Sequence, residues 1–208
     1  MLKQLFFSAA LAVALGSQGA MAQAPRWQDP QVNRVNTEKA RSSFFAYESQ
    51  ALAQKGLKEG SKRFLSMEGM WKFQFVKDHN LAPKNFFMPG YDDSRWEDFP
   101  VPGLFEMHGH GDKTYKNVGY AWATQFDNNP PMVEEKNNYT GSYRRTFTIP
   151  ANWKGERIYV HVGSATSNLA LWVNGKEVGY SEDSKLEAEF DITKYVVPGQ
   201  KALIAMQV

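Results

Sequence analysis

The chain contains no cysteine in its 208 residues. That absence excludes disulfide bridges, thiol nucleophiles, thiolate zinc sites and iron–sulfur clusters. It carries no basic block either: 24 Lys and Arg face 22 Asp and Glu, a formal net charge of +2. Without Lys3 the balance is 23 against 22, or +1. Neither nucleic acid nor an anionic membrane surface is implied by so even a distribution. No GxSxG element, P-loop or Rossmann fingerprint occurs. After the first residues there is also no apolar run long enough to span a bilayer.

The N-terminus itself reads as a secretory signal over residues 1–22. Lys3 supplies the positive start, Leu5 to Leu15 the short apolar stretch, and Ala20-Met21-Ala22 a small-x-small cleavage pattern. The mature protein is expected to begin at Gln23 and to be exported, periplasmic or extracellular, with no membrane attachment after cleavage. Without disulfides it must rely on a hydrophobic core, which this length permits.

Aromatic residues are plentiful, at 14% of the chain, and they fall into alternating patterns. In "GMWKFQFV" Trp71, Phe73 and Phe75 share one face, with Lys72 and Gln74 on the other. "YRRTFTI" places Tyr143, Arg145, Phe147 and Ile149 together. "RIYVHV" opposes Ile158, Val160 and Val162 to Tyr159 and His161, and "NLALWV" opposes Leu169, Leu171 and Val173 to Ala170 and Trp172. Asn174-Gly175 marks a type I′ turn, which needs positive φ at both residues. "KALIAMQV" aligns Ala202, Ile204, Met206 and Val208. Short strands with turn residues between them predict an all-β fold, an antiparallel β-sandwich or jelly roll of the galactose-binding-like kind, over residues 63–208. Residues 23–62 are polar and mixed, and predict an extended N-terminal arm whose glycines argue against a helix. Val208 stands inside an alternating apolar strand, so the jelly roll is expected to be truncated at that end.

The segment from Asn80 to Tyr139 has no clear period and is rich in Pro, Gly, Trp and Asn. Loops that long are seldom kept without a use. His108, His110 and Asp112 stand at i, i+2, i+4 and could hold a metal on a strand, but two glycines there favour a polar loop. Paired carboxylates, about 5–5.5 Å apart in a retaining glycosidase, could come from Glu134-Glu135, Glu182-Asp183 or Glu187/Glu189. None is specific, because adjacent strand residues splay to opposite faces and surface charge explains most of them. Tyr115, Asn117, Tyr120 and Trp122 lie within eight residues, the composition of a sugar platform and equally of a buried aromatic cluster.

Taken together, the motifs "WQDPQVNRVN", "LSMEGMWKFQF", "VPGLFEMHGHGDKTYKNVGY", "YTGSYRRTFTIP", "HVGSATSNLALWVNGKEVGYSEDS" and "EFDIT" resemble the N-terminal part of a glycoside hydrolase family two β-galactosidase. The resemblance covers essentially everything after the leader. It departs from the family at "NVGYAWATQFDNNPP", where relatives have a shorter Pro-rich stretch, and at "TEKARSSFFAYES". It implies that Asn117, in "YKNV", reaches an active site and hydrogen-bonds the galactosyl hydroxyls. It implies that Asp183, in "GYSEDS", contacts the sugar and ligates a sodium ion, a hard cation that takes oxygen ligands. It also implies β-galactoside substrates and catalytic glutamates in a downstream (β/α)₈ barrel, past an immunoglobulin-like domain. Magnesium is accommodated only through residues outside these 208, and a homo-oligomer is expected at full length. No catalytic residue is expected in this fragment, which alone should be inactive. The other readings are a stand-alone carbohydrate-binding module and a relative with another sugar preference, such as a β-glucuronidase.

Overall fold

The computed structural model describes residues 25–115, 117–119, 132–182 and 184–208. Its strands, in chain order, are β1 (Arg34–Val35), β2 (Gly69–Asp78), β3 (Glu97–Val101), β4 (Lys136–Thr148), β5 (Tyr159–Val162), β6 (Leu169–Val173), β7 (Lys176–Ser181), β8 (Ala188–Asp191) and β9 (Lys201–Gln207). Seven of them form one sheet in the order β1-β7-β6-β9-β4-β2-β3, and β5 pairs with β8 in a second. Every pairing is antiparallel. The fold is an all-β sandwich.

The period-2 faces land where alternation places them. Trp71, Phe73, Tyr143, Leu169, Leu171, Val173, Ile204 and Met206 of the large sheet are buried in one core with Ala188 and Phe190 of the small one and Ile158 just before β5. On β5 the intervening Tyr159 and His161 are exposed. The β6–β7 hairpin turns through Asn174 (φ 51°) and Gly175 (φ 80°), both left-handed as a type I′ turn requires. Asn174 then serves as a bracket: its amide donates to the Tyr195 carbonyl at 2.8 Å and its side-chain oxygen accepts from the Leu203 amide at 2.8 Å. Gly179 of β7 answers a different need. A Cβ there would stand 2.5 Å from the Val35 carbonyl and 2.7 Å from the Phe190 ring, so only glycine lets β1 and the opposing sheet approach so closely.

One expectation needs correction. The arm is not wholly extended: Gln50–Lys55 form a short α-helix, α1. The Ser49 hydroxyl accepts from the Leu52 amide at its start, and Gly56, at φ 67°, ends it. The glycine that argued against a helix is therefore its C-terminal stop. The outward face of the large sheet is itself partly covered. Residues 84–96 fold across it, burying Phe86 and Trp96 over Ala205, with Phe87, Tyr91 and Trp172 alongside. The Phe87 and Trp172 rings stack at 5.1 Å, 7° from parallel.

Arg144 sits beneath this cover, 4% exposed, at an outward position of β4. Its Nε donates to Asp93 Oδ2 at 2.6 Å, and its Nη atoms donate to the carbonyls of Phe86, Met88 (3.1 Å) and Tyr91 (3.4 Å). A planar guanidinium with five donors satisfies an irregular loop whose carbonyls have no strand partner. Among the described residues no buried side-chain nitrogen or oxygen is left without a partner.

Replacing Arg144 by Met keeps most of the volume but strands those carbonyls and Asp93, so Arg144→Met should destabilise the fold by about 3 kcal/mol. The companion Arg145→Met, whose guanidinium is half-buried on the carbonyls of Met67 and Glu68, should cost about 1 kcal/mol. Urea unfolding of the two variants side by side checks the order.

Candidate functional site

The loop after β3 is built in two parts. Its base is pinned to the aromatic end of the core. A 3₁₀ turn, Phe105–His108, stops at Gly109, and the His110 amide then donates back to the Phe105 carbonyl at 3.0 Å. The His110 ring lies 5.3 Å from both Phe73 and Phe75, and its Nε2 meets Glu97 Oε1 at 2.8 Å. His108 instead sets its ring edge-on to Phe99 at 4.9 Å. Asp112 accepts the Tyr139 hydroxyl, and that bond pushes the phenol's pKa up. The three residues spaced for a metal are therefore directed to three separate partners. Among the described residues no group of three His, Asp or Glu side chains could hold a metal ion. Loop geometry, which residue spacing does not fix, decided this.

Beyond the pinned base the chain projects. Tyr115 is 88% exposed and Val118 89%, with Asn117 exposed between them. These described residues of the loop therefore face solvent. Tyr120, Trp122 and Asp183 lie outside the described residues.

Four of the candidate carboxylates, Glu135, Glu182, Glu187 and Glu189, are occupied in holding the chain. Glu135 accepts from the Asn80 side chain. Glu182 takes the Tyr180 hydroxyl, and that phenol's pKa is pushed up by burial and then by this carboxylate. Glu187 accepts the Ser43 hydroxyl at 2.8 Å, while Glu189 is shared by Arg41 at 2.7 Å and His161 at 3.2 Å. With Arg26 paired to Glu177, three acids of the run from Glu177 to Asp191, namely Glu177, Glu187 and Glu189, are met by side chains of the N-terminal arm. Charge pattern alone hid this, because the partners lie about 150 residues apart.

At the other end of the arm, Gln28 exchanges both amide bonds with the Val133 backbone. Trp27 meets His79 edge-on at 5.0 Å, and His79 Nδ1 lies 3.2 Å from the Thr140 hydroxyl. Burial depresses the His79 pKa, opposed by Glu135 and Asp78.

Comparison with known proteins settles the family. Residues 64–208 match the glycosyl hydrolases family 2, sugar binding domain. The chain belongs to that family. A β-galactosidase of Priestia megaterium is 35% identical over 180 residues, covering 86% of this chain and 17% of the relative. One of Halalkalibacterium halodurans is 35% identical over 176 residues, again covering 17% of its own length. The chain thus spans about a sixth of those relatives. Among solved structures, a β-glucuronidase of Ruminococcus gnavus aligns with a TM-score of 0.50 at 22% identity, covering 69% of this chain and 21% of that one. That likeness establishes the sandwich fold.

The His79 environment gives a pH prediction. Its folded pKa lies below the unfolded value, so the unfolded chain binds the extra proton first. Stability is complete above the ordinary histidine range and falls as pH drops through it towards the lower folded value. His79→Gln, which keeps a partner for Thr140, should flatten that acid limb. Thermal melts between about pH 5 and 8 check it, and a wild-type Tm that does not fall over this range would refute it.

Proposed function

We propose that this chain is the leading, exported portion of a retaining β-galactosidase, whose sugar-binding domain lends two contacts to an active site completed by later domains. The observation that carries the reading is the 35% identity, over most of the chain, to proteins named β-galactosidase. The motifs "YKNV" and "GYSEDS" support the branch, and the leader composition of residues 1–22 supports export to the periplasm or beyond.

In this reading, Asn117 donates and accepts hydrogen bonds at the galactosyl hydroxyls, a role that suits an amide on an outward loop with a pinned base. Asp183 accepts from the sugar and ligates sodium. Its donor chemistry fits a hard monovalent cation. In this reading the remaining oxygens of the shell come from elsewhere in the complete protein. When bound, the ion supplies a fixed positive charge facing the sugar oxygens. Asn117 and Asp183 orient the galactose, a contribution of positioning. The two glutamates that attack the anomeric carbon and protonate the leaving oxygen belong to a downstream (β/α)₈ barrel. The partners are therefore β-galactosides, the chain's own later domains and further copies in a homo-oligomer. Magnesium, where used, is held by residues beyond this chain.

The test uses the full-length protein. Nitrophenyl galactoside should be hydrolysed and nitrophenyl glucuronide left untouched; the reverse preference assigns the enzyme to a glucuronidase branch. Asp183→Ala should raise KM for galactoside about tenfold or more and abolish sodium dependence. Asn117→Ala should lower kcat/KM by about tenfold. Unchanged kinetics in both variants would refute the assignment.

A further inference from the structure

The last two strands at the β3 edge of the large sheet differ in length. β2 runs for 10 residues, Gly69–Asp78, whereas β3 pairs only from Gly69 with Val101 to Phe73 with Glu97. The chain ahead of β3 cannot extend the pairing, because it is bent into the outer cover. The Trp96 amide donates to the Asp93 carbonyl at 3.0 Å, and the Trp96 ring is buried with Phe86. The loop after β3 comes back to the same place at His110. Between them the sheet edge carries a notch of about 200 Å³, lined by Phe73, Gln74, Phe75, Arg95, Glu97 and His110.

The polar groups of this notch are only partly spent. His110 Nε2 meets Glu97 through one carboxylate oxygen, Oε1, at 2.8 Å. The Gln74 side-chain amide donates to the Phe75 carbonyl at 3.4 Å, a long bond that a better acceptor can replace. Arg95, exposed at the rim, brings the fork of a guanidinium. The His110 ring is held 5.3 Å from both Phe73 and Phe75, so this wall is set before anything binds.

Charge and size select the ligand. A cation entering the notch meets Arg95 and an anion meets Glu97, whereas a neutral molecule is repelled by neither. A ligand with several hydroxyls uses both, since each hydroxyl accepts from the guanidinium or amide and donates to the carboxylate. Half-buried Phe75 adds an apolar surface for a carbon–hydrogen face. The volume lies below the roughly 300–1,000 Å³ of sites for drug-sized molecules, which leaves room for one sugar ring.

We propose that this notch binds a single neutral pyranose ring, with Arg95, Glu97 and Gln74 on its hydroxyls and Phe75 against its carbon face. The site stands on these side chains and needs neither Asn117 nor Asp183. Being open to solvent and small, it binds with a Kd on the order of a millimolar.

The experiment follows amide exchange in the full-length protein with galactose, glucose or glucuronate added well above a millimolar. Both neutral hexoses should slow exchange over residues 72–76 and 93–111 by about threefold or more, and glucuronate should do less. Gln74→Ala/Arg95→Ala changes only side chains at the surface, so the fold should persist while this protection is lost. Glu97→Gln keeps an acceptor for His110 and removes the negative charge, so glucuronate should then protect nearly as well as galactose. The proposal is overturned if neutral hexoses leave these residues unprotected in the wild type. It is equally overturned if protection survives in the double variant, or if glucuronate matches galactose in the wild type. Hydrolysis of nitrophenyl galactoside is read separately, so failure of the notch leaves the roles given to Asn117 and Asp183 standing, and their failure leaves the notch standing.

Discussion

The outer half of this domain depends on one guanidinium. Arg144 points away from the sandwich core, where a strand residue normally meets water. Burying it there is tolerable only because Asp93 neutralises it and the carbonyls of Phe86, Met88 and Tyr91 take its remaining donors. In return an aperiodic loop obtains the partners that a strand would have given it. The loop then covers Ala205 and Trp172, leaving the middle of the large sheet buried on both faces. The rigid platform of β2, β4 and β9 results from two covers, one made by a sheet and one by a loop.

From that platform the projecting loop draws its footing. Phe73 and Phe75 of β2 seat His110, Glu97 of β3 holds its Nε2, and Tyr139 of β4 holds Asp112. A binding residue at the end of an unsupported loop loses affinity to its own motion, whereas one beyond a pinned base loses less. The arrangement separates labour along eight residues: His110 and Asp112 support, while Asn117 is presented. On the opposite edge the arm ties β7 to β8 through backbone hydrogen bonds.

Much of the sandwich was legible from residue order. The alternations of Trp71-Phe73-Phe75, Leu169-Leu171-Val173 and Ala202-Ile204-Met206 place the same residues inside, and Asn174-Gly175 turns as its residue types demand. The helix α1 was not legible, since its single-glycine stop reads in composition as an interruption. Nor was the role of Arg144, although the paired arginines of "YRRTF" held a hint. One of two neighbouring strand residues must face each way, and here both faces are covered. For the site, Asn117 was singled out by family likeness, and of the carboxylates proposed from residue type Glu187 and Glu189 proved to be ties to the arm.

The amino-acid order by itself determined the strand faces, the hairpin turn and the family, because each is a local or colinear pattern with a period or motif to read. Tertiary structure alone decided which charges pair. Arg41 with Glu189 and Arg144 with Asp93 are separated by 148 and 51 residues. An ion pair leaves no spacing signature in sequence, since its geometry is set by which strands the sandwich happens to bring side by side.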